Sequence, residues 1–192
     1  RELIWANRIS TSTSLGSRRL IYYLGAIDNW VLLSDKPRFD YSTPISTTQD
    51  YYFQTLATPM RGFTQNIRNG NSFAVFNSEI RCPIFKYLMS KPIKSDFISN
   101  FQTILFTDIG TAWTGKSPYS EGNTFNEKVI TEDLPPGSYI ILKNHQNPIV
   151  GGLGWGLRTR LWGYFIRFDH DSGIEDGIVQ KPINYLSIGL DF

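Results

Sequence analysis

Ile183-Asn184-Tyr185-Leu186-Ser187-Ile188-Gly189-Leu190-Asp191-Phe192 is the stretch that decides the fold. Leu186, Ile188, Leu190 and Phe192 share one parity, while Tyr185, Ser187, Gly189 and Asp191 share the other. Side chains of a strand alternate between its faces, so this segment reads as a strand with one apolar face and one polar or small face. Termini of soluble domains usually fray. A strand that closes a membrane β-barrel instead keeps its apolar face against lipid and its backbone on a neighbouring strand. The ending predicts such a closing strand.

The same period recurs upstream. Leu153, Trp155, Leu157, Thr159 and Leu161 alternate with Gly152, Gly154, Gly156, Arg158 and Arg160. A tight turn at Trp162-Gly163-Tyr164 leads into 165–170, where Tyr164, Ile166 and Phe168 oppose Phe165, Arg167 and Asp169. In 101–113, Leu105, Thr107 and Ile109 oppose Phe106, Asp108 and Gly110. In 73–81, Asn77, Glu79 and Arg81 oppose Ala74, Phe76, Ser78 and Ile80, and Pro83 ends that strand because it cannot donate to a ladder. Residues 3–25 read as strand material ending at Gly25. The stretches 26–70, 87–100, 114–147 and 171–182 are polar and poorly periodic, and are predicted to be connecting loops.

Bulk properties bound the function. A chain of 192 residues is one domain by default. Charged residues are only 19% and the net charge is +2, so no nucleic-acid partner is expected. Aromatics reach 15%, which suits the interfacial girdles of a membrane barrel. No apolar run approaches the roughly 20 residues of a spanning helix, which excludes a helical membrane protein. Cys82 is the only cysteine, so neither an intrachain disulfide nor a thiolate metal cluster is available. Residues 1–8 lack the basic start and apolar run of a secretory signal, and the chain is expected to begin partway along a longer one.

A soluble β-sandwich shares the period of two. Two features argue against it. Arg81, Arg158, Arg160 and Arg167 recur opposite the apolar faces, as in a wet lumen, and Trp113, Trp162, Tyr164 and Tyr185 fall near strand ends, as in an interfacial girdle. About six strands are countable, fewer than the eight of the smallest outer-membrane barrels. The expectation is an all-β, antiparallel transmembrane β-barrel with long external loops, of which residues 1–192 form the C-terminal part. The other arrangement the count allows is an eight-stranded barrel with two strands inside 26–70.

Three segments then stand together: Met60-Arg61-Gly62-Phe63, Asn77-Ser78-Glu79-Ile80-Arg81 and Phe106-Thr107-Asp108-Ile109-Gly110. With the strand from Gly152 to Arg160 and the terminal Phe192, they resemble the C-terminal half of the bacterial surface antigen family of outer-membrane assembly and translocation barrels. The resemblance covers essentially the whole chain, most closely from about residue 59 onward. It implies a barrel of about sixteen strands, within the even-numbered range of such barrels. It also implies a loop folded into the lumen, with Arg61, Gly62 and Phe63 at its tip and Glu79 and Asp108 as the wall carboxylates that hold the arginine. A guanidinium between carboxylates in a confined space makes short, charge-assisted bonds. Such a lock either fixes the loop structurally or takes part in gating. By the same resemblance Tyr185, Gly189, Leu190 and Phe192 belong to a C-terminal assembly signal. The chain departs from the family at Leu24-Gly25-Ala26, where many members carry a double glycine, and in an extended loop from 26 to 59.

Other chemistry is weak. His145 and His170 are the only histidines and lack clustered carboxylates, so no metal is expected. His170-Asp171-Ser172 holds the residue types of a hydrolytic triad, but adjacent residues cannot form its relay. Gly152-Leu153-Gly154-Trp155-Gly156 is not followed by a helix, and its glycines read as space made inside a lumen. No enzyme activity and no cofactor are expected. The function implied is insertion, assembly or translocation of other proteins at the outer membrane of a Gram-negative-type bacterium. The implied partners are the lipid bilayer, nascent outer-membrane proteins and assembly-complex subunits. The alternative is a passive outer-membrane anchor or pore carrying an upstream module such as a patatin-like lipase or a β-propeller.

Overall fold

The computed structural model describes residues 3–32, 37–46, 49–57, 59–89, 93–120, 123, 125–130, 135, 138–143 and 146–190. Six long strands carry the fold: β1 (Ile4–Thr13), β6 (Ser72–Cys82), β7 (Gln102–Trp113), β10 (Val150–Leu161), β11 (Tyr164–Glu175) and β13 (Ile183–Leu190). Between β1 and β6 lie β2 (Arg19–Leu24), β3 (Trp30–Leu32), β4 (Tyr51–Leu56) and β5 (Arg68–Gly70). Helices α1 (Ile84–Leu88) and α2 (Asp96–Ser99) connect β6 to β7, a hairpin of β8 (Glu127–Ile130) and β9 (Ile140–Lys143) precedes β10, and β12 (Ile178–Val179) precedes β13.

The main sheet is antiparallel and open, in the order β1-β6-β7-β10-β11-β13-β3, with β12 added to β11. Its register aligns the alternating residues into rows. Trp5, Ile80, Leu105, Trp155 and His170 fall on one face, and Glu79, Phe106, Gly154 and Asp171 on the other. The first face is bare. Trp5 is 71% exposed, Ile9 78% and Leu105 59%, and Phe76, Ile80, Ile109, Leu153, Trp155 and Ile188 are also exposed. The other face is covered by the segment between β1 and β6, which forms a second sheet in the order β4-β2-β5.

That cover is packed, not draped. Tyr22, Leu24, Ala57, Met60 and Phe63 join Phe73, Val75, Ala112 and Val150 of the main sheet in one buried cluster. A second cluster joins Ala26 and Ile27 to Ile183 and Tyr185. Burying an aliphatic or aromatic side chain of this size contributes roughly 1.5–3 kcal/mol, so the cover is held chiefly by its apolar residues. The β10–β11 turn, Trp162-Gly163, has positive φ at both residues (53° and 84°). This is the pattern of the two-residue hairpin turn whose twist matches its strands.

Several expectations need correction. Residues 3–25 are not one strand: β1 ends at Thr13, and β2 turns into the second sheet. The stretch 26–70 is a folded cover with short strands, of which only β3 joins the main sheet, and the sheet does not close as an eight-stranded barrel would. The connector 87–100 contains α2 and the end of α1, and 114–147 contains the β8–β9 hairpin. β11 continues to Glu175, beyond the loop boundary expected at 171; Asp171 is buried on the covered face and Gly173 makes room there for the Phe63 ring, and a carboxylate followed by a glycine reads as a loop. Tyr185 is fully buried on the covered face, so it belongs to no girdle. His145, Asp191 and Phe192 lie outside the described residues.

If the cover is packed core, Leu24→Ala destabilises the fold by about 2–5 kcal/mol. Leu15→Ala, at a residue 77% exposed, changes stability by less than about 0.5 kcal/mol. Equilibrium urea unfolding of both variants checks this; equal losses would show that the cover is loosely held.

Candidate functional site

Asn77, Glu79 and Arg81 on β6, Asp108 on β7 and Arg158 on β10 face the cover because strand parity puts them on that side. Met60-Arg61-Gly62-Phe63 comes down onto them as a turn. Arg61 is 1% exposed, and its Nε and Nη2 donate side-on to the two oxygens of Asp108, each at 2.6 Å. Its Nη1 donates to Glu79 Oε1 at 2.6 Å, and its backbone N–H to Asp108 Oδ2 at 3.2 Å. The guanidinium also lies 3.5 Å from the centre of the Phe106 ring, a cation–π contact on the same row as Glu79.

Both carboxylates are saturated. Asp108 additionally accepts from Asn77 Nδ2 at 2.8 Å, and that amide also donates to the Pro59 carbonyl at 3.0 Å. Glu79 accepts from Arg158 at 2.9 and 3.1 Å and from Arg81 Nε at 3.0 Å. A charge removed from water costs several kcal/mol unless it is paired and hydrogen-bonded; here each acceptor has several donors. The arrangement suits clamping. No lone pair is left over on Glu79 or Asp108 for work as a general base.

Glycines set how closely the turn approaches the wall. Gly62 has φ +89°, and a Cβ there would lie 2.5 Å from Gly173 N. A Cβ on Gly152 would lie 2.2 Å from the Arg61 carbonyl oxygen, and one on Gly173 would lie 2.4 Å from the Phe63 ring. Phe63 is buried, and its carbonyl accepts from the Tyr185 hydroxyl at 2.6 Å. The turn is thus tied to β6 and β7 through Arg61 and to β13 through Phe63.

A second buried guanidinium works in the same way. Arg68, 0% exposed, donates to Glu175 at 2.7 Å and to the Asn147 carbonyl at 2.6 and 3.2 Å. It also sits 4.8 Å from the Phe125 ring centre. Sequence reading assigned Arg68 no role, because its partners lie far along the chain in stretches without periodicity.

Of the residues singled out in the sequence, Arg61, Gly62, Phe63, Glu79 and Asp108 meet at one place. Tyr185 belongs to that place too, through Phe63. Gly189 and Leu190 pair along the backbone with Phe165 and Tyr164 at the far end of β13. Asn77, Phe106, Arg158, Gly152 and Gly173 complete the site. The inward parity of Asn77, Phe106, Arg158 and Gly152 was readable, that of Gly173 was not because 171–182 read as a loop, and which of them would touch Arg61 was not. His170 and Ser172 lie on the face opposite Asp171, and His170 Nδ1 is 2.7 Å from Asn184 Oδ1, so no triad forms. Among the described residues no group of three or more His, Cys, Asp or Glu side chains is placed to hold a metal ion.

Arg61→Ala leaves Asp108 uncompensated and is expected to cost about 3–5 kcal/mol. Adding Asp108→Asn should recover part of that loss, a coupling that a double-mutant cycle by urea unfolding measures directly. Gly152→Ala should cost about 1–3 kcal/mol by forcing the turn off the sheet. Additive effects of the Arg61 and Asp108 changes would show that the pair does not hold the turn.

Comparison of the chain with protein-family models, with curated proteins and with solved structures returns no match.

Proposed function

We propose that this chain is part of an outer-membrane β-barrel of the surface-antigen type, which assembles, inserts or translocates other proteins at that membrane. The observation that carries the reading is the asymmetry of the main sheet. Its bare face is a field of Trp, Ile, Leu and Phe side chains, and its other face holds buried ion pairs. A water-soluble monomer rarely exposes so broad an apolar surface, whereas lipid is its natural cover. The long strands span 8 to 12 residues, close to the roughly 9–11 needed to cross a bilayer.

The orientation follows from the connections. The two-residue turn after β10 lies on the periplasmic side, and the long segments after β1 and β7 lie outside, as in other barrels of this kind. β1 has one strand neighbour in the open sheet, and its other edge pairs with a preceding strand when the barrel is complete. The cover is the lumen loop, and Arg61 is its lock.

Support for an assembly role comes from β13. Away from β11, it pairs with β3 only over Tyr185, Leu186 and Ser187. In a complete barrel the remainder of that edge forms the seam with the first strand, and a seam held by so short a β3 pairing can open to receive an incoming strand by β-augmentation. The saturated bonding of Arg61 and Arg68 favours the second reading, a rigid anchor or pore for an upstream module.

Two measurements on the full-length protein in its native host test this. Brominated lipids should quench the fluorescence of Trp5 and Trp155; without quenching, the membrane reading fails. Depletion of the protein should lower the folded fraction of other outer-membrane proteins. Quenching with no such drop leaves the passive anchor as the function.

A further inference from the structure

Beside the Arg61 lock lies a cavity of about 270 Å³, whose lining includes Arg8, Arg61, Arg81, Arg158, Arg167 and Glu79. Five guanidiniums and one carboxylate line it. Two more carboxylates are bonded to those arginines from behind: Asp108 to Arg61, and Asp169 to Arg167. Five positive charges against three negative leave an excess of two. Asp171, buried on the same sheet face and without a hydrogen-bond partner, is the one further carboxylate nearby; ionised, it lowers the excess to one.

The excess is accompanied by unused donors. Arg158 is 7% exposed and donates both Nη atoms to Glu79, yet its Nε is buried without a partner. Buried N–H donors are nearly always satisfied in native proteins, so an orphan in a charged cavity points to a missing acceptor. Arg8 makes no ion pair among the described residues. The cavity is several times the roughly 30 Å³ that one water occupies in the liquid. It falls below the roughly 300–1,000 Å³ of sites for larger organic ligands. Guanidiniums recognise planar and tetrahedral oxyanions through forked N–H donors, and a phosphate monoester carries about −1.5 to −2 charges at neutral pH.

We infer that this cavity is a binding site for a phosphate-type dianion, either free phosphate or the terminal phosphate of a lipid headgroup, held by Arg8, Arg81, Arg158 and Arg167 next to the lock. The bound dianion completes the charge balance around Glu79 and supplies the acceptor that Arg158 lacks. Because the same guanidiniums grip Glu79, occupancy stiffens the lumen loop. The site rests on the geometry of the covered face and not on membrane insertion, so it stands or falls separately from the lipid-quenching result.

The test uses the full-length protein in zwitterionic detergent, with thermal unfolding followed by tryptophan fluorescence. Inorganic phosphate is titrated against chloride at constant ionic strength. A saturable rise in the unfolding midpoint with phosphate, absent with chloride, is expected. Arg8→Gln should weaken the apparent affinity roughly tenfold without touching the lock. Arg160→Gln removes the same charge from an exposed position outside the cavity and should leave the affinity unchanged. Short-chain phosphatidic acid in a parallel titration identifies the source: saturation at lower concentration than phosphate assigns a lipid headgroup, and the reverse order assigns the free ion. A phosphate effect no larger than that of chloride overturns the site. So does an equal loss of affinity in the Arg8 and Arg160 variants.

Discussion

Burial of the Arg61 guanidinium is the constraint on which the rest of the structure depends. A guanidinium cannot shed its charge, so once out of water it must be met by acceptors on all sides. Asp108 meets it side-on, Glu79 takes the remaining Nη, and the Phe106 ring presents its negative face. These groups come from two neighbouring strands, so the position of Arg61 is set by the register of β6 against β7. A slip of one residue by either strand would turn that strand's carboxylate, Glu79 or Asp108, to the bare face and leave the charge short of a partner. The ion cluster therefore selects register and loop position together. Its net contribution to stability is smaller than its bond count suggests, because desolvation offsets much of the attraction.

The small residues of the wall are the counterpart of that constraint. A side-on ion pair requires the turn backbone to approach within van der Waals contact of the sheet, and Gly152 and Gly173 provide the gap. These glycines weaken β10 and β11 as strands. The neighbouring strand ladders and the buried Leu24–Met60–Phe73–Val75 cluster compensate. The covered face is thus built in two layers, with charge and glycine where the turn lands and apolar packing where β2 lies.

What the sequence revealed and what it hid divide along the same line. Wherever one face of a strand is bare, the period of two is visible in the side chains, and the parities of Leu153, Trp155, Leu105 and Ile109 could be read directly. Wherever a strand is covered on one side and short, the period disappears. The parallel pairing of β2 with β4 depends on contacts some thirty residues apart, which no local pattern encodes. β11 was cut short at Asp171 because residues facing a polar interior resemble a loop. The trio of Arg61, Glu79 and Asp108 came from the resemblance, with strand parity setting the two carboxylates on the inward side. Arg158 showed its parity and not its partner, because it reaches Glu79 diagonally across β7, from outside the row that aligns Glu79 with Phe106 and Gly154.

Three guanidiniums on Glu79 have a consequence for how the lock could open. Releasing Arg61 alone would leave Glu79 still bonded to Arg81 and Arg158, and Asp108 still bonded to Asn77. The wall therefore keeps most of its own order when the loop departs, and Asp108 carries most of the penalty as a buried carboxylate short of a cation. That asymmetry makes Asp108, not Glu79, the residue that resists release. A mobile loop would need a second cation to take Arg61's place, or water admitted to the Asp108 carboxylate. Arg81 and Arg158 are already bonded to Glu79 and Arg167 to Asp169, so none of these three is available for the first route. The Arg61 carbonyl fills the gap left by Gly152 when the loop is seated, so a loop that lifted would open that gap, and Asp108 beside it, to water.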